Sequence, residues 1–247
     1  MPSTFPGFPP SLLTFFRSLE KNNRRDWFTP RKEIFETQIR APMIELVTLL
    51  NDRFRHLAPN HVADEPAKLL YRIYRDTRFS HDKTPYKTHI GATFHHRLFP
   101  RHAGTGYYFE ISHKFVGIAG GIYMPGPDEL LALRTALAKH PDPFLKLAAA
   151  KSLTRLFGTL QGERLARLPK PFQSQADSPA ADFLKLKQLF WWVELPADLA
   201  TTPRLFPTLL KHFETLVPAM TWLDQTLLAA RKNSEDPQEP LRPPPMW

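Results

Sequence analysis

Arginine, lysine, aspartate and tyrosine crowd the stretch YRIYRDTRFSHDKTPYK, residues 71–87. From Tyr71 to Arg97 there are six Lys or Arg (Arg72, Arg75, Arg78, Lys83, Lys87, Arg97) against two acids (Asp76, Asp82), a local balance of +4, with His81, His89, His95 and His96 beside them. Such donors are costly to bury unpaired, so they pair, face solvent or meet an anion. Guanidinium forks grip phosphate or carboxylate through two bonds, lysines add point charges, and Tyr86 has a ring that can stack on a base. The candidate ligand site is therefore Arg72, Arg75, Asp76, Arg78, Asp82, Lys83, Tyr86 and Lys87, for an anionic ligand that bears phosphate or is nucleic acid. The competing reading is a network in which Arg72, Arg75 or Arg78 pairs with Asp76, Asp82 or Glu110 and holds the loop. Position divides the two. Arg72 and Arg75, inside a predicted strand, suit the network; Arg78, Lys83 and Lys87, in or beside the loop, suit a ligand.

Enzymatic chemistry is the alternative use of the same residues. Asp76, Asp82 and Lys83 would serve a phosphate-ester hydrolase or nuclease, and the two aspartates with His81 and His89 are hard-metal or acid–base candidates. The spacing gives this little help. Asp82 and Lys83 are adjacent, and Glu110 is followed by Ile111 and Ser112, so no acid-x-lysine pair of the restriction-nuclease kind is present. HExxH, phosphate-binding GxxxxGK, GxSxG and GxGxxG patterns are absent as well. No catalytic residue, metal ligand or cofactor is assigned on this basis, and a structural or partner-binding protein is the third reading. His95 and His96, adjacent on a strand, point to opposite faces and read as a surface pair. Trp191 and Trp192 read as core.

The whole chain is basic as well, with 33 Lys and Arg against 24 Asp and Glu in 247 residues and a formal charge of +9. That favours anionic partners and solubility without specifying a fold. The absence of cysteine excludes disulfides, thiol catalysis and thiolate metal sites. Arg17 interrupts the apolar patch Leu12–Phe16, so neither a signal peptide nor a membrane span is expected, and the implied location is the cytoplasm.

Four prolines and a glycine in residues 1–10 predict an extended lead-in. Leu12, Phe15, Phe16 and Leu19 recur at helical spacing behind Ser11 as N-cap, and Asn22 and Asn23 end that helix in the left-handed region. A second helix opens at Thr29-Pro30 and restarts or kinks at Pro42. From Lys68 the period becomes alternating, predicting strands over Leu69–Asp76, Lys87–Phe94, Tyr107–Ser112 and Phe115–Met124, the last two joined as a hairpin. In the last of these, Val116, Ile118, Ile122 and Met124 make an apolar face, while Gly117, Ala119 and Gly121 leave the other face bare for something to approach. Helices follow over Pro127–Lys139 and Asp142–Phe157. The aromatic run QLFWWVEL, residues 188–195, reads as a buried strand or helix end, and two last helices are expected over Pro203–Leu216 and Pro218–Arg231. The predicted fold is α+β, a mainly antiparallel sheet covered by helices in a single domain over residues 11–232, with a flexible proline-rich tail from 233 to 247.

Several of these pieces together resemble one family. Asn22-Asn23 with Trp27-Phe28, Arg72, Arg75-Asp76-Thr77-Arg78-Phe79, Asp82-Lys83-Thr84-Pro85-Tyr86-Lys87, Gly120-Gly121 before Pro125, Arg134, and Leu184-Lys185-Leu186-Lys187 are similar to the bacterial and fungal proteins grouped as DUF2461. The resemblance implies a single domain and carries no established activity, substrate or catalytic residue. Its hairpin turn has glycine where this chain has His113-Lys114.

Overall fold

The computed structural model describes residues 4–78, 80–100 and 104–235. Helix α1, Ser11–Lys21, buries Leu12, Phe15, Phe16 and Leu19, the stripe predicted from their spacing. Ser11 is the first helical residue rather than the cap, and its hydroxyl donates to Gln38 Oε1 at 2.7 Å. Asn22 closes the helix with φ −131°, outside the left-handed region, because its side-chain amide donates to Ser18 O at 3.0 Å and satisfies an end carbonyl directly.

The second helical run begins earlier than Thr29. It comprises α2 (Arg25–Phe28), a 3₁₀ turn (Thr29–Arg31), α3 (Lys32–Phe35), a π-helical turn (Glu36–Arg40) and α4 (Ala41–Leu57). Thr29 is helical and donates its hydroxyl to Arg25 O at 2.8 Å, so it caps nothing. Pro42 lies at the start of α4, and the wider turn just before it makes room for a ring that would otherwise press on the carbonyl of Gln38.

Four antiparallel strands form one sheet in the order β1-β2-β3-β4: β1 His89–His95, β2 Gly106–Ser112, β3 Phe115–Ile122 and β4 Leu189–Pro196. The β2–β3 turn needs no left-handed residue, since Ser112 Oγ accepts the backbone N–H groups of Lys114 and Phe115, each at 3.1 Å. The expected strand over Leu69–Asp76 is not formed. Pro66–Leu69 is a 3₁₀ turn, and beyond it only single bridges occur, Leu70 with Ala92 and Tyr74 with Tyr86. The ladder stops because Pro85 has no N–H to return to Arg75; the Arg75 and Lys87 N–H groups still bond to Pro85 O and Ile73 O, while the backbone groups of Tyr86, which point away from Tyr74, are held by the Asn23 amide at 2.8 and 3.0 Å.

The β3–β4 crossover carries α5 (Pro127–Lys139), α6 (Pro141–Ala148), α7 (Lys151–Phe157) and α8 (Ala181–Leu184). The single helix expected over Asp142–Phe157 is thus split at Ala149-Ala150. Arg134 on α5 donates to Leu186 O at 2.8 Å, which ties together two of the motifs that carry the family resemblance.

The chain then folds into α9, Leu205–Glu235, one helix where two were expected, with Pro218 inside it. Proline within a helix costs about 3 kcal/mol. The stripe Leu205, Leu209, Phe213, Leu216, Met220, Leu223 and Leu227 is buried without a break across it, and each such side chain contributes about 1.5–3 kcal/mol. Burial wins. The helix reaches Glu235, so the first residues of the expected tail are helical, and the rest of that tail lies outside the described residues.

The core sits between α4, α9 and one face of the sheet. Phe54 of α4 stacks on Phe94 of β1 at 4.3 Å, and Phe213 of α9 meets Tyr107 edge-on at 5.6 Å. The lead-in is docked. Phe5 and Phe8 are buried, and only glycine suits position 7 between them, where φ is +102° and a Cβ would come within 2.7 Å of the Thr201 backbone.

Candidate functional site

The loop that follows Arg75 is closed by its own charges. Arg75 Nη1 donates to Asp82 and to the Thr84 hydroxyl, while Asp82 Oδ1 accepts the Thr84 N–H at 2.9 Å. That backbone donor, with Arg75 behind it, holds the Asp82 carboxyl down at about 2. Asp76 is held down to about 2 by the fork of Arg78, whose Nε and Nη2 reach its two oxygens at 3.0 and 2.7 Å. Lys83 donates to Thr77 O at 2.9 Å. Tyr86 is buried, stacked on Phe28 at 4.2 Å, and so does not offer its ring to solvent. Arg72 is exposed beside a recess of about 130 Å³ that Tyr71, Tyr74, Glu36 and Arg40 also line. Among the described residues no group of three His, Asp or Glu side chains is arranged to hold a metal ion.

Lys87, at the end of the same stretch, turns toward a much larger space. A cleft of about 630 Å³ opens on the face of the sheet opposite α4 and α9. Strand alternation builds it. The register aligns Thr93, Tyr108, Ala119 and Trp192 in one row across the four strands, and Gly106 with Gly121 in the next. Ala119 and the glycines make a floor of backbone, with Tyr108 and Trp192 on either side of it. Gly121 takes φ +144° and lies where a Cβ would meet Phe190 Cα at 2.5 Å, so no larger residue fits there. At one end Thr93 donates to the Tyr71 hydroxyl at 3.0 Å, and Lys87 Nζ lies 4.9 Å from the centre of the Tyr71 ring. Tyr108 donates to Glu110 Oε2, and His89 Nε2 lies 3.5 Å from the same oxygen. Burial lowers the His89 pKa; the Glu110 charge opposes this and the Lys87 charge adds to it. Burial, with Glu110 adjacent, raises that of the Tyr108 hydroxyl.

The cleft uses the bare face of β3 that the alternation of Gly117, Ala119 and Gly121 pointed to, and what approaches Gly117 is Trp192. The core assignment holds for Trp191, which is fully buried, and fails for Trp192, which lines the cleft. Neighbours on a strand face opposite ways, and that was the available signal. Tyr108 and Thr93 carried no sequence signal of their own. Their place comes from register.

A second polar cluster lies buried at the end of the cleft that Thr105 borders. Thr105 donates its hydroxyl to Asp224 Oδ1, and His61 Nε2 lies 3.1 Å from that hydroxyl and 3.9 Å from Asp224 Oδ2. Burial pushes Asp224 up to about 7 and His61 down to about 3. His96, expected at the surface, is fully buried and packs edge-on against His61 at 5.1 Å. No helix among the described residues is long and apolar enough to cross a membrane.

No curated protein and no solved structure matches the chain. The family model described as conserved hypothetical protein (DUF2461) matches residues 11–222 of the 247, and the motifs that meet at Arg134–Leu186 and Asn23–Tyr86 fall within that span, so the chain belongs to the DUF2461 family.

Proposed function

We propose that this protein binds a small, flat, anionic molecule in the cleft on the open face of its sheet, with Lys87 meeting the anionic group. The observation that carries this reading is the cleft itself: about 630 Å³, floored by glycine backbone, walled by Tyr108 and Trp192, with a lysine at its polar end. Its volume falls within the range of small-molecule sites, and a largely apolar wall with a few convergent polar groups is their usual composition. The loop cations support it by contrast. Arg75, Arg78 and Lys83 each have a partner within the loop, which favours a stapling role for them, whereas Lys87 also lines the cleft. Phosphate-ester hydrolysis by Asp76, Asp82 and Lys83 gains no support, since both carboxylates are engaged by arginines and the lysine by a carbonyl.

The experiment is a titration of flat organic anions against the parent and Lys87→Gln, followed by tryptophan fluorescence and calorimetry. A charge-assisted contact of about 1.5–3 kcal/mol predicts a loss of roughly ten- to hundredfold in Lys87→Gln, with the melting temperature little changed. Equal affinity of both proteins for every anion that binds refutes the role of Lys87, and no binding at all refutes the site.

A further inference from the structure

Beside Lys87 the cleft carries a carboxylate that a plain anion would not choose as a neighbour. Glu110 Oε2 takes the Tyr108 hydroxyl and faces His89, but Oε1 has no hydrogen bond among the described residues, and the side chain is only 13% exposed. A carboxylate so placed needs donors, and an anionic ligand with none would leave it desolvated and repelled. Lys87 and Glu110 both line the cleft, so one bound molecule faces both charges. We infer that the ligand is a nitrogen heterocycle with an anionic substituent: ring N–H groups donate to Glu110 Oε1, the anionic group meets Lys87, and the ring lies on the floor of Ala119 and Gly121 beside Tyr108 and Trp192.

This rests on the cleft being the ligand site and adds the class of ligand. Aromatic walls suit a flat heterocycle, for which stacking is strong and tolerant of ring identity. The chemistry is shared by free nucleotides and by heteroaromatic acids. A nucleic-acid strand fits less well, since it asks for a track of cations, and the nearby loop cations Arg75, Arg78 and Lys83 are held in local contacts.

The test compares uridine and guanosine monophosphates, orotate and 2-naphthoate on the full chain by calorimetry. The nucleotides and orotate carry ring N–H donors; naphthoate is flat and anionic without them. N–H ligands are expected to bind at least tenfold more tightly than naphthoate, and Glu110→Gln is expected to remove most of that advantage while leaving naphthoate unchanged or improved. N-methylated orotate and N-methylated uridine monophosphate give the same test on the unmutated protein, with a tenfold loss expected even if Glu110→Gln folds poorly. Orotate and the nucleotides separate the two sources by which binds more tightly. Naphthoate binding as well as every N–H ligand overturns this inference and leaves the cleft reading intact, as does indifference to N-methylation. Failure of all probes, naphthoate included, overturns both.

Discussion

The tip of the Trp192 ring lies over Gly117, so close that a Cβ on the glycine would overlap it, nearest to Cη2, with Cζ2 at 2.6 Å and Cζ3 at 2.9 Å. The two residues belong to neighbouring strands, and the missing side chain leaves the space that the ring tip fills. In that pose the indole N–H lies 3.3 Å from Glu194 Oε1, and the ring forms one wall of the cleft.

Gly117→Ala should therefore displace the indole. The expected cost is about 1–3 kcal/mol, the range for overpacking, which lowers the melting temperature of a domain this size by roughly 2–10 °C. Tryptophan emission should shift with it. A variant that melts with the parent and keeps its spectrum would mean that the ring moves aside freely.

Ala119→Leu separates the cleft from the fold. Ala119 lines the cleft beside Tyr108 and Trp192, so added carbons intrude on the cleft and not on the core. Thermal melting within about 2 °C of the parent is expected for such a half-exposed site, together with at least a tenfold loss of affinity for any ligand of the cleft. Unchanged ligand affinity in a folded variant would place binding elsewhere.

The two arginines of the loop should behave differently. Arg78 is exposed, and Arg78→Gln should leave the melting temperature unchanged while letting the Asp76 carboxyl rise from about 2 toward its ordinary value, read by NMR titration. Sign and window follow from the depressed value: the pair contributes above the ordinary aspartate range and is lost as pH falls through about 2. Arg75 is half-buried and bridges Asp82 to Thr84. Its replacement by Gln should speed amide exchange at position 75, Thr84 and Lys87, whose N–H groups close the loop on Pro85 O, Asp82 Oδ1 and Ile73 O. Identical exchange in Arg75→Gln and Arg78→Gln would show that neither pair holds the loop.

Asp224 predicts a pH dependence of stability. Its folded value, raised from 3.8 to about 7, means that the folded state holds the extra proton between those limits, so its contribution to stability falls as pH rises through that window. His61 acts in the opposite sense: lowered from 6.5 to about 3, it makes stability rise with pH between those values. Asp224→Asn keeps an acceptor for the Thr105 hydroxyl and removes the first effect only. Denaturant unfolding at pH 4, 6 and 8 should find the variant close to the parent at pH 4 and more stable at pH 8, on the order of 4 kcal/mol at about 1.4 kcal/mol per unit. Parallel pH curves would show that Asp224 does not titrate in this range.

Much of the architecture was legible in one dimension. The stripe of α1, the alternation of β2 and β3, the bare face of Gly117, Ala119 and Gly121, and the motifs shared with the family depend on local spacing, and local spacing is what a sequence displays. Where the outcome depended on a partner far along the chain, the reading failed. Leu69–Asp76 alternates like a strand, but the segment it meets at the Tyr74–Tyr86 bridge carries Pro85, which has no N–H to continue the ladder. Pro218 marks a break, but the apolar stripe around it is buried without interruption, and that burial exceeds the cost of one proline. The charged stretch announced itself, yet which cations pair within the loop and which one reaches a cleft was decided by folding. The cleft is the clearest case. Lys87, Tyr108, Glu110 and Trp192 come from a loop and two strands up to 105 positions apart, as their numbering shows, and only strand register, which fixes side-chain faces across the sheet, brings them to one surface.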